Sequence, residues 1–400
     1  MEKIEKLLDY AEKHNLYPDL RIIQGSAVPE VIVDGKKVLM FSSNNYLSLS
    51  THPKMIRAAI EATEKYGTGS CGSRLLSGNL DIHKKLEKTL ADFKGGEDAI
   101  VWPSGYSANV GIIPAITRII RIPGISLLPR KGVVFSDELN HASIVDACRM
   151  SKQKIVVYRH LDMEDLEHKL KKHKQRRRII VTDGVFSMDG DIAPLDKISR
   201  LAKEYKAITI VDEAHSTGVL GETGKGTLEY FNLKPVEDID IVMGTLSKAL
   251  GGTGGFVVGS KTIVKYLRVA SRSYMFSTAM TPASSASAIT ALKIIREEPI
   301  WREKLWKNTD YMREGLQKIG YDTLKSQTQI VPVLIGGDEK AMQFSQLLFE
   351  KGIFGPCVRW PAVERGKARA RFTVMSAHTE EQIDTLLAIC KQVGRLLKII

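Results

Sequence analysis

The chain has 400 residues, 43% of them hydrophobic and 26% charged, with a formal net charge of +12. That length carries a large core in two or three domains, and the composition is that of an ordinary soluble globular protein. The positive balance favours anionic partners such as phosphates, but the bases are interspersed with acids, which argues against nucleic acid as the partner.

Residues 1–15 read as an amphipathic helix with Ile4, Leu7, Leu8 and Ala11 on one face. Its charged start is not that of a signal peptide. Glu30 to Met40 reads as a β-hairpin turning at Asp34-Gly35, and a polar loop follows at 42–47. His52-Pro53 opens a helix that runs to about Tyr66. Gly67-Thr-Gly69-Ser-Cys-Gly72 matches G-x-G-x-x-G, but a helix precedes it where a dinucleotide site needs a strand. These glycines are expected to form a tight active-site loop instead. A helix then spans about His83 to Phe93.

From 98 to 258 short β-rich runs alternate with helical ones. The strand candidates are Asp98–Trp102, Gly132–Ser136, Lys154–Tyr158, Arg178–Asp183, Ala207–Asp212, Ile239–Gly244 and Gly255–Gly259. This alternation predicts an α/β domain with a mostly parallel sheet of seven strands, and ligands bind such sheets just past the strand ends. The apolar run from Val110 to Ile120 is broken by Pro114 and Arg118, so it is too short to span a bilayer. The basic and apolar connection at 117–131 reads as a packing segment or oligomer contact, with a substrate-entry or membrane-facing flap as the alternative. From Pro282 a long helix leads into a smaller α/β region, with helices near 301–319, 338–352 and 379–397 and strands at Gln329–Ile335 and Arg369–Val374. The expected division is 1–45, an N-terminal helix and hairpin; 46–285, the large domain; and 286–400, the small C-terminal domain. Cys71, Cys148, Cys357 and Cys390 are far apart and lack metal-ligand spacing, which points to reduced thiols in a cytoplasmic protein.

Two strand ends carry the chemistry. Asp212-Glu-Ala-His215 follows an apolar strand, and Lys248 lies in a run of small residues after the next one, ahead of Gly251, Gly252, Gly254 and Gly255. Burial lowers a lysine pKa, and the neutral amine then attacks carbonyls. Adjacent strands can aim an acid and an amine at opposite edges of one flat ring. Pyridoxal 5'-phosphate (PLP) needs that arrangement: a lysine Schiff base and an acid that keeps the ring nitrogen protonated.

Asp-Glu-Ala-His-Ser-Thr-Gly-Val-Leu-Gly from Asp212, and Gly-Thr-Leu-Ser-Lys-Ala-Leu-Gly-Gly around Lys248, resemble the α-oxoamine synthases, a group of fold-type I PLP-dependent transferases. The resemblance runs from about Tyr17 to the end. It implies a homodimer with shared active sites that joins a small amino acid to an acyl-CoA, releasing CoA and CO2. It assigns the Schiff-base lysine and α-proton base to Lys248, the ring-nitrogen acid to Asp212, a ring-hydroxyl contact to His215 and a ring-stacking role to His141. Gly105 and Tyr106 would offer backbone N–H groups to the phosphate, Thr245 a hydroxyl, and Ser187 a further cofactor contact. Thr278 would reach the phosphate of the neighbouring subunit. Arg371 would hold the amino-acid carboxylate, with Asn45 and Ser73 also touching substrate. Arg369 competes with Arg371, because alternation puts both on one strand face.

The segments 189–195, 218–228 and 276–282 most resemble the members that use alanine and a pimeloyl-type thioester. Val38-Leu-Met-Phe, 304–311 and Pro361-Ala-Val resemble those that use serine and long-chain acyl-CoA. The segment 137–144 also resembles those that use glycine and acetyl-CoA. Ala362 stands where the first group usually carries threonine. Outside the family, the alternatives are an aminotransferase or lyase on the same fold and a cofactor-binding partner subunit without activity, against which Lys248 argues.

Overall fold

A computed structural model describes residues 1–13, 17, 20–118, 132–174 and 177–400. The 117–131 connection, apart from its first two residues, lies outside the described residues.

The N-terminal helix forms as Glu2–Lys13, yet none of its residues is buried, so its apolar face is open. Next come β1 (Ile23–Gln24), β2 (Glu30–Val33) and β3 (Lys36–Met40), paired antiparallel. The hairpin turns at Asp34 and Gly35, with φ of 50° and 78°. Two successive positive φ values match the right-handed twist of the flanking strands.

The central sheet contains β4 (Asp98–Trp102), β5 (Gly132–Asp137), β6 (Lys154–Tyr158), β7 (Arg177–Asp183), β8 (Ala207–Asp212), β9 (Ile241–Thr245) and β10 (Gly255–Gly259). Their order is β4-β10-β9-β8-β7-β5-β6. Only β10 runs against its neighbours; the other pairs are parallel. Every residue of β5, β9 and β10 is buried, because helices cover both faces. Strands buried on both sides read as continuous apolar runs, which made them legible. The expected Ile239–Gly244 strand begins two residues later, because Ile239 forms an isolated bridge with Pro235.

One core packs Trp102, Ile112, Val134, Val181 and Met243 on one face of the sheet. A second packs Phe135, Leu166, Ile198 and Val211 on the other. The helix Leu195–Tyr205 shows why: Leu195, Ile198 and Ala202 recur at helical spacing, and all are buried.

The C-terminal part holds an antiparallel sheet of β11 (Ile330–Gly336), β13 (Cys357–Val358) and β14 (Ala368–Thr373), in the order β11-β14-β13. The helices Ile300–Ile319, Asp338–Glu350 and Glu380–Leu396 accompany it. Strand β12 (Ile353–Phe354) instead pairs parallel with β3. The N-terminal hairpin, expected as a segment of its own, therefore shares a sheet with the C-terminal part. Among the described residues no helix is long and apolar enough to cross a membrane.

Candidate active site

The parallel register sets Asp183 of β7 beside Asp212 of β8, and Asp212 beside Met243 of β9. Past these ends lies a cavity of about 210 Å³, lined by residues that include Ser104, Gly105, Tyr106, His141, Asp212, His215, Thr245 and Lys248. The Ser104-Gly105 turn that lines it requires a glycine behind it. A Cβ on Gly255 would lie 2.8 Å from Gly105 N and 2.5 Å from the Ser104 carbonyl oxygen, both backbone. The close approach of β10 thus fixes the turn at Ser104-Gly105, where the helix Gly105–Thr117 starts. Ser104 caps that helix by accepting from Ser107 N at 3.1 Å. The first N–H groups of a helix lack intrahelical acceptors and attract anions.

Lys248 lies on the connection from β9 to β10. Burial, with Arg371 adding to it, outweighs Asp212 and Asp183 and brings its pKa down to about 8. That leaves about 300-fold more free amine at neutral pH than an ordinary lysine has. Its Nζ lies 2.6 Å from His215 Nε2. Burial, reinforced by Lys248, Arg371 and His141, holds His215 well below the usual histidine range, so the imidazole is neutral. Gln329 Nε2 donates to the His215 carbonyl at 2.8 Å and holds the turn in place.

Asp212 is oriented from both sides. Asn109 Nδ2 donates to its Oδ2 at 2.8 Å, and Ala214 N to its Oδ1 at 2.9 Å. Burial and the neighbouring Asp212 push Asp183 well above the usual carboxylate range. His141 caps the helix Ala142–Met150 and donates its backbone N–H to Asp183 Oδ2 at 2.7 Å. Burial and Lys248 lower the His141 pKa, against the pull of Asp212.

The two arginines of β14 separate here. Arg369 is ion-paired with Asp189. Arg371 has no carboxylate partner among the described residues; it donates to the Ser187 carbonyl and, at 3.4 Å, to Asn44 Oδ1. A half-buried guanidinium without an anion is a ready receptor for a carboxylate.

Several expected residues sit elsewhere. Asn45 is corrected: its Nδ2 donates to the Ala27 carbonyl and to Ser50 Oγ, and its Oδ1 accepts from Ser50 N. Those bonds hold the 42–50 loop, and the amide facing Arg371 is that of Asn44. Ser187 presents its carbonyl to Arg371, and its side chain is not part of the cavity wall. Thr245 donates to the Gly254 carbonyl at 2.9 Å, with Ser247 Oγ 2.8 Å away on the same wall. Ser73 and Thr278 face each other in a β-bridge away from this cavity. The Gly67–Gly72 loop is likewise sewn to 279–280, through Gly72 O and Ser70 Oγ, and does not line the cavity of its own chain. Sequence reasoning passed over Asn44, Tyr46, Asn109 and Asp183, whose roles depend on long-range pairing.

The 184–193 loop, which carries Ser187 and Asp189, is stapled by His160. Its Nδ1 donates to Asp137 at 2.9 Å and its Nε2 to Asp191 at 2.8 Å. Burial alone would lower this histidine, but the two carboxylates outweigh it and hold its pKa up at about 9. The unfolded value is about 6.5. The staple therefore contributes fully below pH ~6.5, on the order of 2–3 kcal/mol, and the contribution is lost as pH rises through about 9. Denaturant melts of the wild type and His160→Gln should converge between pH 6.5 and 9.5; a constant gap would refute the staple.

The donor set fits PLP. It combines a partly neutral lysine, a carboxylate on the next strand, and a helix N-terminus at a turn backed by glycine.

Comparison with known proteins agrees with that geometry. The aminotransferase class I and II family matches residues 36–389. The chain is 46% identical over 402 residues to an 8-amino-7-oxononanoate synthase of Thermoanaerobacter pseudethanolicus, covering 100% of this chain and 98% of that one. It is also 46% identical over 400 residues to the one from Lysinibacillus sphaericus, at full coverage of both. Among solved structures, a serine palmitoyltransferase from S. paucimobilis with bound PLP superposes with a TM-score of 0.92 at 33% identity, covering 100% of this chain and 99% of that one. An 8-amino-7-oxononanoate synthase from Francisella tularensis gives 0.77 at 28% identity, covering 91% and 99%. With its motifs in the expected order and its lysine and acid converging on one cavity, the chain belongs to the aminotransferase class I and II family, and within it to the α-oxoamine synthases, PLP-dependent acyltransferases.

Proposed function

We propose that the protein condenses L-alanine with a pimeloyl-type thioester to give 8-amino-7-oxononanoate, CoA and CO2. The observation that carries this reading is the 46% identity along the whole chain to synthases of that name. When bound, PLP would withdraw electrons from the amino-acid Cα. Lys248 would hold it covalently and then, displaced, take the α-proton. Asp212 would pair with the ring nitrogen, His215 would contact the ring hydroxyl and His141 would cover the ring face. The amides of Gly105 and Tyr106, with Thr245 or Ser247, would hold the phosphate. Arg371 would grip the carboxylate and set the Cα–H bond perpendicular to the ring. A bond forms from Cα to the thioester carbon as the C–S bond breaks and CoA leaves as its thiol. The carboxylate then departs as CO2, and a proton returns to Cα.

The serine and long-chain acyl-CoA reading is favoured by the TM-score of 0.92. We read the working form as a cytoplasmic homodimer. The exposed apolar side chains of Leu75, Leu76 and Phe276 beside Ser73 and Thr278 support that reading. The deciding experiment measures CoA release with alanine, serine and glycine, each crossed with acetyl-, pimeloyl- and palmitoyl-CoA. Alanine with pimeloyl-CoA should be fastest. Fastest release with serine and palmitoyl-CoA would select the second reading, and no release beside rapid transamination would refute both.

A further inference from the structure

Tyr46 is fully buried, and nothing in the expected set of site residues used it. Its hydroxyl lies 2.7 Å from His215 Nδ1 and 3.0 Å from Asn44 Oδ1. On the far side, His215 Nε2 lies 2.6 Å from Lys248 Nζ. Arg371 closes the chain by donating to Asn44 Oδ1 at 3.4 Å. Four side chains from three parts of the sequence are thus linked to the reactive amine.

The protons along this chain are fixed by elimination. Arg371 only donates, so the Asn44 atom facing it is the carbonyl oxygen, which only accepts. The Tyr46 contact to that oxygen therefore needs the phenolic proton. With its proton spent, the Tyr46 oxygen can only accept, and Arg371 and Gln329 face it as donors as well, so the His215 contact needs a hydrogen on Nδ1. A neutral imidazole has one N–H, which leaves Nε2 bare. The opposite arrangement, with Tyr46 donating to Nδ1, sets two lone pairs against each other across the 3.0 Å contact with Asn44.

We propose that Tyr46 is a positioning residue: anchored by Asn44 and Arg371, it locks His215 as the Nδ1–H tautomer and keeps Nε2 as a bare acceptor facing Lys248. A bare acceptor favours the ammonium form of Lys248 before substrate arrives, and it admits only a donor, such as a hydroxyl, in its place. The same chain ties the carboxylate-binding arginine to the amine, so the two ends of an amino acid meet groups that share one hydrogen-bond network. The other titratable groups around the amine are Asp212 and Asp183, and His141 faces His215. The proposal rests on the reading of Lys248 as the reactive amine. Its test uses the unliganded protein, so its failure is distinct from failure of the CoA-release assay.

Neutron diffraction from perdeuterated wild-type protein should show a deuteron on His215 Nδ1 and the Tyr46 deuteron directed at Asn44. A deuteron on Nε2 with Nδ1 bare would overturn the proposal. The second readout is the pH dependence of Lys248 reductive methylation, followed by peptide mass. Tyr46→Phe removes the acceptor for Nδ1–H, so the Lys248 titration, near 8 in the wild type, should fall by about one unit, a tenfold change in free amine. Asn44→Leu keeps Tyr46 but frees its proton to turn toward His215, and it should give the same downward shift. Titrations unchanged in both variants would refute the proposal. Should Tyr46→Phe fail to fold by circular dichroism, Asn44→Leu and the wild-type proton map carry the test.

Discussion

Lys248→Ala is expected to lose at least about 10³-fold in CoA release, the scale of a missing acid–base group, with a missing covalent anchor in addition. The wild-type protein should retain PLP through borohydride reduction and denaturation, whereas the variant should release all of it. The reason is local. Lys248 has its pKa lowered to about 8 by burial, and the cavity contains no second lysine. Added methylamine should restore part of the activity, because a small free amine can occupy the vacated space and take the proton. Covalent retention of PLP by the alanine variant would sink the assignment.

The second large effect is expected for Asp212→Asn. The isostere keeps the shape but removes the charge that Asn109 and Ala214 N hold in place. One hydrogen bond must also be lost, since an amide cannot accept from both donors through both of its atoms. Breaking one side of a buried charge pair costs about 3–5 kcal/mol. Turnover should therefore drop by about two to three and a half orders of magnitude, with weaker PLP binding in a fluorescence titration. The Lys248 titration should move further down, because Asp212 is the largest influence raising it. A variant within about threefold of wild-type turnover would exclude the ring-nitrogen role, since such a change is below the 1.4 kcal/mol that a factor of ten represents.

Much of the scaffold was legible because fully buried strands write themselves as β-branched runs between turn residues. β10, fully buried, and β4 and β8, mostly so, have their expected bounds for that reason; β6, largely exposed at the sheet edge, has its bounds through its β-branched run alone. Lys248, Asp212 and His215 were legible through their order and spacing on adjacent strand ends. What escaped depended on contacts between distant residues. Asn44 and Asn45 are the same residue type one position apart, and the path of the loop alone decides which one faces Arg371. Arg369 and Arg371 share a strand face, and only Asp189, far away in sequence, tells them apart. The N-terminal helix shows the converse: its periodicity foretold an apolar face, but no periodicity says what covers it.

The reversed direction of β10 has a consequence for how such a protein can change over time. Because β10 pairs antiparallel with β9, Thr245 is registered opposite Gly255, and Lys248 sits on the closed loop between them. Its place is thus set by neighbours in the sequence. Arg371 owes its place to β11, to the Ser187 loop and to Asn44, three distant segments. Substitutions in β11 and in the Ser187 loop can re-aim the carboxylate receptor while the amine stays where it is, whereas a change at Asn44 reaches both. Reactivity and selectivity are thereby separable traits, which lets one scaffold drift from one amino acid and acyl donor to another without passing through an inactive ancestor.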